Sequence, residues 1–82
     1  MSCSLYLYCF ETKQTVHIAE KSGSNGLRGA DCPKTVAAFC IAHQGKELVS
    51  MYLNSFEDFI EYVEWTPQNV QEVFAAVTGR PL

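Results

Sequence analysis

The chain has 82 residues, 48% of them apolar, with five Phe, four Tyr, one Trp and a formal net charge of −3. That is enough polypeptide for one domain, spanning residues 1–82, and enough apolar surface to lift it out of the disordered regime. It has neither the basic run needed to displace counterions from phosphates nor the ~18–20 apolar residues of a membrane span, so neither nucleic-acid nor membrane partners are expected.

Leu5-Tyr6-Leu7-Tyr8-Cys9-Phe10 is rich in aromatic and branched side chains and predicts a first strand. Glu11 to Gln14 is a polar break. Thr15-Val16-His17-Ile18-Ala19-Glu20 then resumes strand character, so the pair predicts a hairpin. Residues Lys21 to Ala30, with Gly23, Gly26 and Gly29, read as a long irregular connection. Pro33 suits the first turn of a helix, capped by Asp31 or Cys32. From Thr35 to Gln44 the residues are apolar on nearly every side, which predicts a buried helix stopped by Gly45.

Glu47 to Leu53 reads as a third strand. Phe56, Phe59, Ile60 and Val63 then recur at the i, i+3, i+4, i+7 spacing of a helical face, behind Ser55 and Asp58 as a capping pair. Thr66-Pro67 starts another helix, whose Val70, Val73, Phe74 and Val77 repeat the spacing up to Gly79 and Pro81. The order β-β-α-β-α-α predicts an α+β fold, with a small, mainly antiparallel three-stranded sheet in the order 2-1-3. The helices are expected on one sheet face, leaving the other solvated or used.

The N-terminus shows no basic region followed by an apolar run, so no secretory signal is visible and the expected compartment is the cytoplasm. Cys3, Cys9, Cys32 and Cys40 then read as reduced thiols. Of these and the two histidines, only Cys40 and His43 have the close spacing of zinc ligands, and no second pair completes a site. Packing is the plainer role for them, and neither metal nor cofactor is expected. Cys32 stands apart because the start of a helix favours a thiolate, with His17 or His43 as a possible base. Against this, Asp31 beside it opposes ionisation, and no oxyanion-hole motif accompanies it.

The glycine-rich stretch offers a second site. Gly26, Arg28, Gly29 and Lys34 could hold an anion between flexible backbone N–H groups and the helix start. It matches no phosphate-binding motif, and its glycines could equally serve tight turns.

The charge is uneven. Residues 1–46 carry five basic and three acidic side chains, whereas residues 47–82 carry six acidic ones and only Arg80. On the helix expected after Ser55, Glu57, Glu61 and Glu64 share a polar face, flanked by Tyr62 and ended by a partly exposed Trp65. Such an acidic, aromatic surface suits recognition of a basic protein. The same glutamates could be merely solvated, with Trp65 sealing the core. The leading expectation is a non-enzymatic protein-binding module (adaptor, inhibitor or accessory subunit), with a homodimer as one arrangement. The alternative is small-molecule or anion binding, or thiol chemistry, at Gly23–Lys34.

Overall fold

The computed structural model describes residues 2–23, 26–29, 32–52 and 61–82. Their elements are β1 (Ser2–Cys9), β2 (Gln14–Ser22), β3 (Gly26–Gly29), α1 (Pro33–Ala42), β4 (Val49–Tyr52), β5 (Val63–Trp65) and α2 (Val70–Thr78). The fold is α+β, with two helices and a largely antiparallel sheet.

The sheet has five strands rather than three. The expected trio is present: β1 lies between β2 and β4 and is antiparallel to both. The two additions both attach to the far edge of β2. Gln14 to Val16 pair in parallel with β5, from Gln14↔Val63 to Val16↔Trp65. Ala19 to Ser22 pair antiparallel with β3, from Ala19↔Gly29 to Ser22↔Gly26. His17 and Ile18, between them, have no strand partner on that edge among the described residues. At the same place the ladder to β1 slips: Leu5 faces Ala19 but Tyr6 faces His17, so Ile18 is left unmatched. A bulge of this kind bends a strand and re-aims its side chains.

Two expectations about the irregular and helical segments are thereby corrected. The stretch after Lys21 is not simply a loop, because Gly26–Gly29 is captured as an edge strand. Gly26 is required there, since a Cβ would run into the Ser22 carbonyl. The helix expected from Phe56 to Val63 falls largely on residues 53–60, outside the described residues, but it cannot include Val63 to Trp65, which are β5.

Side chains from one sheet face meet both helices. Cys9 and Val16 from the sheet, Ala38 and Phe39 from α1, Phe74 from α2, and Trp65 form the core, with Leu7, Ile18, Val36, Val70, Val73 and Val77 packed against it. α1 is less enveloped than its composition suggests: Thr35, Ala38 and Phe39 point inward, while Ala37, Cys40 and Ile41 are exposed. A single apolar stripe suffices because only one side of the helix has a sheet to cover. α2 follows the predicted spacing and ends at Gly79, whose left-handed backbone (φ 75°) carries its N–H to the Ala75 carbonyl at 2.8 Å.

The opposite sheet face carries aromatic rings. Tyr6 meets Tyr8 at 6.1 Å between centroids and His17 edge-on at 5.3 Å, and Tyr8 meets Tyr62 at 6.0 Å. Tyr8 and Thr15 on this face are buried.

Candidate thiol site

A cleft of about 170 Å³ opens where β2 lacks an edge partner, walled by Val16, His17, Cys32, Thr35, Glu64 and Trp65 and closed by Thr66 and Pro67. Three separate parts of the chain meet there. β2 brings His17, the start of α1 brings Cys32 and Thr35, and β5 brings Glu64. The last arrives only because β5 pairs with β2.

Pro33 fixes the chain entering α1 and leaves Cys32 as the residue before the first turn. Thr35 follows one turn later, its N–H donating to the Cys32 carbonyl at 3.1 Å. Cys32 is partly exposed at the mouth of the cleft. Its thiol is held below the ordinary cysteine value, chiefly by the Thr35 hydroxyl. The backbone N–H groups of Thr35 and Lys34 and the Lys34 charge act in the same direction, against desolvation.

Thr35 is 4% exposed, yet its hydroxyl has no hydrogen-bond partner among the described residues, and Cys32 makes no side-chain cap to α1. These facts fit together physically. A protonated thiol is a weak acceptor, so donors facing it stay unused until the sulfur is ionised. The other buried side-chain polar atom without a hydrogen-bond partner among the described residues is Nε2 of His17; that residue borders the cleft, but its ring lies with Tyr6 on the opposite sheet face. Oε1 of Glu20 is 3.7 Å from that nitrogen, beyond hydrogen-bond range. Buried polar groups are ordinarily satisfied, so the Thr35 hydroxyl beside the Cys32 thiol sets this cleft apart.

His43 does not join them. It is 1% exposed, its Nδ1 donates to the Phe39 carbonyl at 2.8 Å, and its Nε2 lies 2.9 Å from the Thr12 hydroxyl. Its ring stacks on Phe39 at 4.2 Å. With both nitrogens engaged it is a structural tie between α1 and the β1–β2 turn. Cys40 faces solvent, so the pair with zinc-like spacing does not converge.

The remaining sequence candidates are dispersed. Trp65 is 2% exposed, packs edge-on against Phe39 at 5.2 Å and donates from Nε1 to Oε1 of Gln14. It is core rather than a partly exposed corner. Tyr62 is half-buried between Tyr8 and Phe10. Glu61 is exposed and pairs with Lys13 at 3.4 Å, and Glu57 lies outside the described residues. Glu61 and Glu64 therefore sit on a turn and a strand, not on one helical face. Arg28 is bound to Glu20 at 2.9 Å across the β2–β3 ladder. Gly26 and Gly29 belong to β3, Lys34 is exposed on the first turn of α1, and Asp31 lies outside the described residues.

No family model, curated protein or solved structure shows significant similarity to this chain. Function has to be read from the site.

Thr35 is the site residue that sequence reasoning passed over. Its signal was the spacing Cys32-x-x-Thr35, which puts a hydroxyl one turn beyond a helix cap, the place from which capping groups answer each other. Two larger hollows lack comparable chemistry. One of about 500 Å³ beside α2 has Glu72 as its charged group, and one of about 440 Å³ against Ile18, Pro33 and Val36 is apolar.

Proposed function

We propose that the chain binds a small molecule in the cleft beside Cys32 and acts on it through the Cys32 thiolate. The observation that carries this reading is convergence: a partly exposed thiol at a helix start and the buried, unpartnered Thr35 hydroxyl line one cleft. Nucleophilic thiols occupy partly exposed surroundings that stabilise negative charge, whereas structural cysteines are buried and inert. Cys9, fully buried, is the inert kind here. A working thiol also suits a reducing compartment such as the cytoplasm. Alkylation by iodoacetamide followed across pH tests the reading. Cys32 should label faster than Cys40 near neutral pH, because a lowered pKa raises its thiolate fraction. Its profile should extend to lower pH, and Thr35→Val should move it back toward that of an ordinary cysteine. Equal, slow labelling of Cys32 and Cys40 would remove the proposal.

Recognition of a basic protein is the second reading. It is supported by a small apolar patch, Phe10 (48% exposed) and Val63 (41% exposed) beside Tyr62, rimmed by Glu61 and Glu64. Self-association through the same patch is its simplest form. Reversing the charges of Glu61 and Glu64 should abolish capture of a basic partner while the circular dichroism stays native; unchanged capture would end this reading.

A further inference from the structure

We propose that Cys32 is an oxidation site for small hydroperoxides, and that the sulfinate they leave on its sulfur caps the start of α1. This rests on Cys32 being the reactive thiol and names the substrate class. In the first step Cys32 Sγ, as the thiolate, bonds to the terminal oxygen of the hydroperoxide while the O–O bond breaks. The other oxygen leaves with that bond's electron pair and takes a proton from water. A second hydroperoxide repeats the step on the sulfenate. Each step oxidises the sulfur by two electrons and reduces one peroxide to an alcohol or to water, so no further oxidant is needed.

Three observations select an oxygen donor over other electrophiles. First, α1 begins without a cap: Cys32 holds the N-cap position, its side chain makes no capping hydrogen bond, and the first turn has no acidic residue. The N–H groups of a first turn find no carbonyl within the helix, and the positive end of the helix dipole lies there, so an anionic acceptor is what the position lacks. Second, the donors facing the Cys32 sulfur are the Thr35 hydroxyl and the N–H groups of Thr35 and Lys34. The hydroxyl is buried and unpartnered among the described residues, and sulfur is too weak an acceptor to satisfy it. The Thr35 N–H already donates to the Cys32 carbonyl at 3.1 Å, which leaves the hydroxyl and the Lys34 N–H to be filled. Oxygens bound directly to Sγ set charged acceptors before both. Alkylation or a mixed disulfide would set carbon or a second weakly accepting sulfur there instead. Third, the cleft of about 170 Å³ is below the ~300–1,000 Å³ of ordinary ligand pockets, a scale that suits a small oxidant.

The test treats the native chain with hydrogen peroxide, locates oxidised cysteines by peptide mass spectrometry and follows melting by circular dichroism. Sulfinate should form at Cys32 before the exposed Cys3 and Cys40 are oxidised. The melting temperature should rise by about 4–8 °C, the shift that one helix cap gives a domain of this size. Thr35→Val should reduce that rise, and Cys32→Ser should gain nothing on treatment. Cys32→Asp sets a carboxylate at the same position without peroxide and should raise melting by a similar amount. An oxidised chain that melts no higher than the untreated one, or a rise that Thr35→Val leaves intact, overturns the cap. Peroxide that prefers Cys3 or Cys40 while iodoacetamide prefers Cys32 overturns the substrate class and leaves the reactive thiol standing. If neither reagent prefers Cys32, both fall.

Discussion

Replacing Trp65 by Phe tests the architecture that builds the cleft. The substitution removes the N–H that donates to Gln14 and half of an indole that is 2% exposed and packed against Phe39. Loss of the hydrogen bond costs about 1 kcal/mol, and the unfilled space beside Phe39 about as much again, giving about 2 kcal/mol. An 82-residue chain is stable by roughly 4–12 kcal/mol, so this is a large fraction. With a urea m-value of about 1 kcal/mol/M for so small a protein, the midpoint should fall by about 2 M. Circular dichroism is the appropriate signal, because the variant lacks the chain's single Trp. Combined with Gln14→Ala, a double-mutant cycle should return about 1 kcal/mol of coupling. A Trp65→Phe variant within about 0.5 kcal/mol of wild type, the range of ordinary surface changes, would refute the placement of Trp65 in the core and of β5 against β2.

Other expectations concern the rest of the molecule. His43→Ala should cost about 2–4 kcal/mol in thermal or urea unfolding, since it empties a buried ring site stacked on Phe39, whereas Thr12→Val should cost about 1. Equal small effects would argue against the tie they form. Tyr6 and Tyr8 should ionise above the pH at which free tyrosine does, because burial, together with the nearby Glu64 charge, disfavours the phenolate. The stability they contribute is then complete below the pKa of an unfolded tyrosine and is lost as pH rises through the raised values. Absorbance titration should show this delay, shortened in Glu64→Gln; ionisation at the free-tyrosine pH would contradict it. Gly26→Ala should destabilise the β2–β3 hairpin, read as faster hydrogen exchange at Ala19 to Ser22.

The parts legible from sequence were those whose cause is local. β1 and β2 follow from their aromatic and branched residues and the polar turn between them, and α2 from its apolar spacing and Gly79. β3 and β5 were hidden because neither is made a strand by its own residues. Gly26-Leu27-Arg28-Gly29 has no alternation, and Val63-Glu64-Trp65 fits the end of a helical repeat; both are strands because β2 offers them an edge. Tertiary pairing overrides periodicity in segments so short. The site divides the same way. Cys32 was visible beside Pro33, but Val16 and Trp65, the neighbours of His17 and Glu64, stand 49 residues apart in sequence and become partners only through the β2–β5 register. The placement of Glu64 on a helical face with Glu61 was overturned for the same reason, since it assumed a helix through Val63 to Trp65.

The split edge of β2 has a consequence for how the protein behaves in a crowded solution. A nine-residue strand with one side open would invite pairing by foreign chains and seed aggregation. Here a three-residue and a four-residue strand, running in opposite directions, occupy that side. Two unpaired residues are too few to template an intruding strand.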